Sequence, residues 1–591
     1  MPCTTLLVGK NASYDGSTMI ARNDDSGHGR YDPKRLVAVR PEDQPRHYRS
    51  VLSHVEIELP DDPCAYLIAP NALRNRGILA EAGVSERNVA MSATETIAVN
   101  ERVLGADPMV ALHSVPIEAG EWSARPNAGA APSVDGFWAS VGEPEAYDAG
   151  RADDIANLGL DAYLEADAQA GSNGSKASAN APAAASTASN TDTSATATRR
   201  EVPGGIGEED LITLVLPYVS SAREGVLRLG ALLERYGTYE SNGVSISDAD
   251  EVWYVETIGG HHWIARRVPD DCYAAIPNQL GLDDFDLDEA LDDSLGNKRD
   301  YLCSGDLREF IAANHLDRTM GSASGKLGRF NPRVLFGTAT AKDHIYNTPR
   351  AWYMQRCLNP SEDWDSPAAR YTPISDDIPW CRRPESKVSV EDVDNVLSSH
   401  YEDTPYDPYG RLGTPETRHR YRPIGISRTG HLAIMQIRGY APEAWRAVMW
   451  LAFGSQPTTF VAPFYTNVGA TPAYLRQTTG EVSTSTLYWT NRLIAVIADS
   501  HFDANSNAVE AFREDIASHG HAFVAESDAK LDEVVSGSGA DEAAEAKRIM
   551  EAANQRMADY LEARSQQLLG RVLCTTSDMM QNSFALSDRP Q

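Results

Sequence analysis

The sequence predicts an α+β fold, and three stretches carry that reading. TTLLV, Thr4 to Val8, is a β-branched and leucine-rich run followed by turn chemistry, so it reads as a strand. EVWYVETIGGHHWIARRVPDDCYAAIPNQ is rich in Val, Trp, Tyr and Ile and reads as successive strands broken at Gly259-Gly260. Near the end, DEAAEAKRIMEAANQRMADYLEARSQQLLGRVL carries apolar residues at i, i+3 and i+4, the signature of an amphipathic helix packed on a larger body.

The remaining elements follow in chain order. Gly9 to Gly16 (GKNASYDG) is a turn, with Asp15-Gly16 its strongest signal, and Ser17 to Ala21 reads as the returning strand. Leu79 to Thr96 (LAEAGVSERNVAMSATET) repeats a turn-and-strand pattern. Residues 172–198 are low-complexity Ser, Ala, Thr and Asn, which bury almost nothing and predict a disordered insertion. Structure resumes at Glu209, where EDLITLVLPYVSSAREGVLRLGALLERYG has helical apolar spacing and reads as one or two helices. HLAIMQIR at 431–438 and PTTFVAPFY at 457–465 read as further strands, and from about 505 the chain is acidic, Ala-rich and helical. There is no internal repeat.

Composition narrows the function classes. The chain has 591 residues, enough for more than one domain, with 42% hydrophobic and 23% charged residues, as in ordinary globular proteins. No apolar run approaches the ~18 residues that span a bilayer. A net charge of -31 argues against nucleic acid and against an anionic membrane surface. The start has no basic segment, apolar core and cleavage site of a signal peptide. Seven scattered cysteines, odd in number and without a CxxC, argue against a disulfide framework or a zinc site and for a cytoplasmic chain.

Cys3 stands out, because a structural cysteine is an odd choice so close to a free end. A turn centred within residues 13–16 places position 3 opposite roughly positions 23–29, so Arg22, Asp24 and Asp25 in ARNDDSGHG return close to it. A thiol near a guanidinium ionises more readily to the nucleophilic thiolate. If Met1 and Pro2 come off, Cys3 also carries an α-amine, with a reference pKa of about 7.7–8.0, that can accept the thiol proton. The plainer alternative is an edge hairpin with a surface salt bridge.

These residues resemble a known family. CTTLLVGKNASYDGSTMIARNDD is similar to the start of the C69 dipeptidases, also called the dipeptidase A family, of the N-terminal nucleophile hydrolase superfamily. That superfamily includes penicillin V acylases and bile salt hydrolases. The resemblance continues through EDLITLVLPYVSSAREGVLRLGALLERYG, SDADEVWYVETIGGHHWIARRVPDDCYAAIPNQ, KDHIYNTPRAWYM and RPIGISRTGHLAIMQIR, covering roughly 3–500 without the low-complexity insertion. It implies a four-layer αββα sandwich over 3–504, interrupted by the disordered 172–198 insertion, with a helical extension over 505–591 packed on it.

The resemblance also implies the site. The nucleophile matches Cys3, and the Arg-Asn-x-Asp element of the acylase relatives matches Arg22 to Asp25, with Arg22 and Asp25 the functional pair. The oxyanion-donating asparagine matches Asn278 in AAIPNQ. A second oxyanion contributor is expected near Thr94, where the relatives have asparagine and this chain does not, so a backbone N–H is the expected donor. A late arginine of the relatives matches Arg329 or Arg333 equally well. Asp25 or Glu95 is placed to receive a substrate ammonium. The implied reaction is hydrolysis of dipeptides through a thioester, after loss of Met1 and release of Pro2 by the thiol. No metal or cofactor is implied. Dipeptide substrates are the expected partners, nucleic acid and membrane are not, and a homo-oligomer is the expected assembly.

Three other readings remain open on the residues. One is an amidase of the same superfamily acting on acylated amines. Another is a metallohydrolase using His261, His262, His519 and His521. Adjacent strand histidines point to opposite faces, and no HExxH is present. The third is a non-catalytic binding module, in which Cys3 is dispensable.

Overall fold

A computed structural model describes residues 3–27, 31–73, 76–116, 199–319, 327–534 and 540–580. The expected 172–198 insertion lies outside these. The chain divides into two compact units. The described part of the smaller is one antiparallel pair, β9 (His113–Pro116) with β10 (Arg199–Val202). All that follows concerns the larger unit, formed from both sides of that excursion.

Its two large sheets are antiparallel at every pairing. The first has seven strands in the order β18-β14-β1-β2-β19-β20-β21. These are β1 (Thr4–Val8), β2 (Thr18–Asp25), β14 (Tyr273–Ile276), β18 (Cys381–Arg382), β19 (Thr429–Ile437), β20 (Ala447–Phe453) and β21 (Ala462–Tyr465). The second has eight in the order β16-β13-β12-β11-β8-β7-β6-β3. Its strands are β3 (Val37–Val39), β6 (Tyr66–Ile68), β7 (Ala82–Ser85), β8 (Ala90–Thr96), β11 (Asn242–Ser247), β12 (Val252–Ile258), β13 (His262–Arg267) and β16 (Tyr301–Cys303). Two short pairs complete the set: β4 (His47–Arg49) with β5 (Glu56–Glu58), and β15 (Phe285–Asp286) with β17 (Arg329–Phe330).

Strand alternation divides the interior into two cores. In β12, Val252 and Tyr254 join Leu7, Ile20 and Met435 between the sheets. Trp253 and Val255 turn the other way, to meet Val226, Leu229 and Leu233 of the helix Ala222–Tyr236. That helix follows a shorter one, Leu211–Val215, and a 3-10 turn carrying Pro217, so the expected one or two helices are two. Ser221 starts the second by accepting from the Glu224 N–H.

β1 and β2 are buried on both faces, which is why TTLLV shows no polar alternation. The turn between them packs tightly on the β13–β14 connection. A Cβ on Gly9 would come within 2.6 Å of the Pro269 and Asp270 carbonyl oxygens, so only glycine lets these backbones meet. β2 runs to Asp25, four residues beyond the expected Ala21. In 457–465 only the last four residues form strand, and Pro463 is tolerated because β21 is an edge.

The C-terminal part is helical: Leu487–Asp499, Phe502–Val534 and Ala540–Met579. In the last, Ala546, Met550, Met557, Leu561, Leu568 and Val572 are buried at helical spacing. Asn554 of that helix pairs with the edge of β21: it accepts from the Tyr465 N–H at 2.8 Å and donates to the Tyr465 carbonyl at 2.9 Å. The helix thus covers a strand edge that would otherwise stay open. Among the described residues no helix is long and apolar enough to cross a membrane.

Candidate active site

The hairpin register sets the site. Thr4 faces Asn23 and Thr5 faces Arg22, so Cys3 comes opposite Asp24, inside the range expected from the turn. Alternation then sorts the side chains. Arg22 and Asp24 point toward the eight-stranded sheet, where they meet Glu81 and Lys34. Thr4, Asn23 and Asp25 point the other way, toward Arg350, the Leu397 carbonyl and Arg422.

Cys3 is fully buried. Its Sγ accepts from Arg22 Nη2 at 2.9 Å and from the Asp25 backbone N–H at 3.4 Å, two donors that favour a thiolate. The same Nη2 meets Glu81 Oε2 at 2.6 Å and Glu208 Oε1 at 3.1 Å. Glu81 lies in the left-handed region at φ +39°, as does Leu79 at +42°, a strained backbone for non-glycine residues beside the thiol. Glu240 Oε1 accepts the Glu208 N–H at 2.8 Å. Burial, and then the neighbouring Glu208, push the Glu81 carboxyl well above its usual range and that of Glu240 to about 7. Asp24 has the opposite fate. Burial pushes its carboxyl up, but Lys34 at 2.9 Å and His431 together hold it well below the ordinary value.

Asn278 follows β14 through Pro277. Its Oδ1 accepts from Arg350 Nη2 at 2.8 Å, and its Nδ2 donates to the Thr96 carbonyl at 3.0 Å. The Thr96 contact ties Asn278 to β8, the strand that contains Thr94 and Glu95. The side chains of those two residues lie outside what the structure describes. Arg350, at the start of the helix Thr348–Leu358, also donates to the Cys3 carbonyl, to Thr4 Oγ1 at 2.7 Å and to Asn347 Oδ1 at 2.9 Å. Asp25 is held by Arg422 and by the Thr429 hydroxyl at 2.6 Å.

The structure therefore gathers Cys3, Arg22, Asp25 and Asn278. It does not bring in either expected late arginine. Arg329 pairs with Asp284, and Arg333 donates to the Gly281 and Ile378 carbonyls, both at 2.6 Å. Arg350 and Arg422 are there instead, and sequence reasoning passed over both. Arg350 sits in KDHIYNTPRAWYM and Arg422 just ahead of PIGISRTG, stretches that already carried the family resemblance. Glu81, Glu208 and Glu240 gave no motif.

The histidine expectation also changes. His261 lies in the turn before β13, so strand alternation does not separate it from His262, and both Nδ1 atoms meet Asp107, at 2.9 and 2.7 Å. His519 contacts Tyr560 and His521 contacts Glu391. Among the described residues no three His, Cys, Asp or Glu side chains are grouped to hold a metal ion.

The buried Cys3 sulfur thus accepts from a guanidinium and a backbone N–H, and Arg350 joins the Cys3 carbonyl to the Asn278 amide that follows β14. The family model of peptidase family C69 matches residues 2–121 and 157–515, and the chain belongs to that family. It is 46% identical to a protein named dipeptidase from Bifidobacterium longum, over 620 residues and the full length of both chains. It is 44% identical to a probable dipeptidase A of Streptococcus pyogenes serotype M3, again over the full length of both. With dipeptidase A of Lactobacillus helveticus it shares 36% identity, covering 99% of each chain. The chain is thus a peptidase.

Proposed function

We propose that this peptidase hydrolyses dipeptides, with Cys3 as its nucleophile. The observation that carries the reading is the buried Cys3 Sγ held at 2.9 Å by Arg22. In this reading Met1 and Pro2 are removed and the freed Cys3 amine takes the thiol proton. The thiolate attacks the peptide carbonyl, and the oxyanion is met by the Asn278 side-chain amide. A backbone N–H near Thr94 is the second donor. The C–N bond breaks, the leaving amine takes the proton from the Cys3 ammonium, and a thioester remains. Water then attacks the thioester, its proton passes to the Cys3 amine, and the thiolate is restored. Asp25, fixed by Arg422 and Thr429, presents its N–H to the sulfur and orients the nucleophile.

The two facing sheets, with the 222–236 helix on one and the 390–398 and 487–499 helices on the other, support the four-layer αββα arrangement of N-terminal nucleophile hydrolases. Seven free cysteines support a reducing, cytoplasmic setting.

Intact mass of the purified protein and turnover of a Cys3→Ser variant test the proposal together. The expected results are a chain beginning at Cys3 and a folded variant that hydrolyses no dipeptide. Near-normal turnover by folded Cys3→Ser, or full activity with residues 1–2 retained, overturns it.

A further inference from the structure

Lys34, in the segment ahead of β3, is 1% exposed, although lysine is almost never fully buried unless it is paired. We propose that Lys34 is a positioning residue for Cys3: it ties the Leu79 carbonyl to Asp24, and so holds Glu81, and with it the Arg22 guanidinium, in place for the sulfur. The inference rests on the Cys3 reading above.

Connectivity is the first argument. Lys34 Nζ donates to the Leu79 carbonyl at 3.0 Å and meets Asp24 Oδ2 at 2.9 Å. Asp24 is the residue that faces Cys3 across the hairpin. Two residues beyond Leu79, Glu81 Oε2 lies 2.6 Å from Arg22 Nη2, the nitrogen that donates to Cys3 Sγ at 2.9 Å. Arg22, Asp24 and Glu81 are fully buried, so water does not stand in for any of these contacts. A shift of about 1 Å at Glu81 turns Nη2 away from the sulfur, and misplacements of that size cost ~100-fold in rate.

Strain is the second. Leu79 and Glu81 both lie in the left-handed region, at φ +42° and +39°, and such a backbone persists only where its surroundings over-determine it. The carbonyls of Ile78, Ala80 and Glu81 accept from the backbone N–H groups of Asn71, Ala82 and Ala93. The Leu79 carbonyl accepts from the Lys34 side chain. A counter-ion for Asp24 would need no contact with Leu79, and His431 Nδ1 already stands 3.4 Å from the same carboxylate oxygen. The reach to Leu79 therefore does more than balance charge: it braces the strained turn that delivers Glu81 to Arg22.

The test measures melting temperature and the kinetics of alanyl-alanine hydrolysis in three variants. Lys34→Met leaves Asp24 buried without its cation, so it is expected to melt lower, with kcat reduced about 10- to 100-fold and KM within about twofold. Adding Asp24→Asn to it removes the unpaired charge. This double variant is expected to regain melting temperature while kcat stays low, because the Leu79 carbonyl is still unbraced. Asp24→Asn alone keeps an oxygen for the ammonium and keeps Lys34 on Leu79, so its kcat is expected to exceed that of the double variant about tenfold or more. Unchanged kcat in a folded Lys34→Met overturns the inference. So does a double variant that turns over as fast as Asp24→Asn alone, which would make Lys34 a counter-ion only. If Lys34→Met does not fold, the comparison of the double variant with Asp24→Asn decides. Cys3→Ala separates the two proposals. If it is inactive and the Lys34 variants behave as a counter-ion predicts, only the positioning role fails; if it is active, the nucleophile itself is wrong.

Discussion

Arg350 shows how one side chain can hold a site it does not itself react in. It joins the Cys3 carbonyl, Thr4, Asn278 and Asn347, so the start of β1 and the Asn278 amide are tied together. Arg350→Met strands several buried acceptors, each costing about 1–3 kcal/mol. We expect a lower melting temperature and a kcat reduced by about tenfold or more, since Asn278 loses its anchor. Arg350→Lys should restore little, because a point charge cannot replace a planar fork that reaches several acceptors at once. Unchanged kcat in a folded Arg350→Met would show that Asn278 keeps its place without Arg350. Asp25→Asn acts differently. It leaves Arg422 buried without its counter-ion, a loss of about 3–5 kcal/mol, so thermal melting should register it even where residual turnover remains.

At the level of elements, β12 controls the loop that follows β14. Glu256 of β12 is fully buried and accepts the N–H groups of Gly281 and, at 3.2 Å, Leu282, which fixes the segment running on from Asn278. Burial pushes its carboxyl to about 7. The folded protein therefore binds this proton more tightly than the unfolded chain does. The stability Glu256 contributes is complete below its unfolded value near 4.5 and is lost as pH rises through about 7. Glu256→Gln keeps an acceptor oxygen without the charge. Its melting temperature, relative to the natural protein, should rise between pH 5 and pH 8. A difference that is flat with pH would mean that Glu256 is ionised throughout that range. The 390–398 helix is tied to the 502–534 helix in a related way, by Asp394 and Arg513 at 2.7 Å. Burial raises Asp394 to about 6 despite the arginine.

Across the whole molecule, the C-terminal helices complete the seven-stranded sheet. The 540–579 helix buries one apolar row and pairs Asn554 with the β21 edge. Gly520 of the 502–534 helix lies so close to the sheet that an added Cβ would come within 2.9 Å of Pro463. Leu561→Ala should cost about 2–5 kcal/mol, as for other large-to-small changes in a core. Met557→Asp should cost more, by burying an unpaired charge, and should expose the β21 edge to self-association, measurable by light scattering during a thermal ramp. A melting curve unmoved by Met557→Asp would show that the helix is an appendage and not part of the folded unit.

Much of this was legible in one dimension. The β1–β2 hairpin follows from a leucine and β-branched run, a turn and a second run, and the constant sum of paired positions then brings Arg22 and Asp25 to Cys3. The 540–579 helix follows from its apolar spacing, while Asn278 was singled out only by the family resemblance of AAIPNQ. β20, AVMWLAF, went unread because a continuous apolar run has no period to distinguish it. Glu81, Glu208, Arg350 and Arg422 were beyond reach for a different reason. Each is a single polar residue with no local pattern, and its importance comes from a partner on another element: Glu208 is 186 positions from Arg22, and Arg350 is 347 from Cys3. Local backbone chemistry and periodicity determine which segments become strands and helices and which neighbours share a hairpin. Only the packing of the two sheets and the helices on them decides which distant charges are buried against the thiol, because that depends on how faces meet and not on the order of residues along the chain.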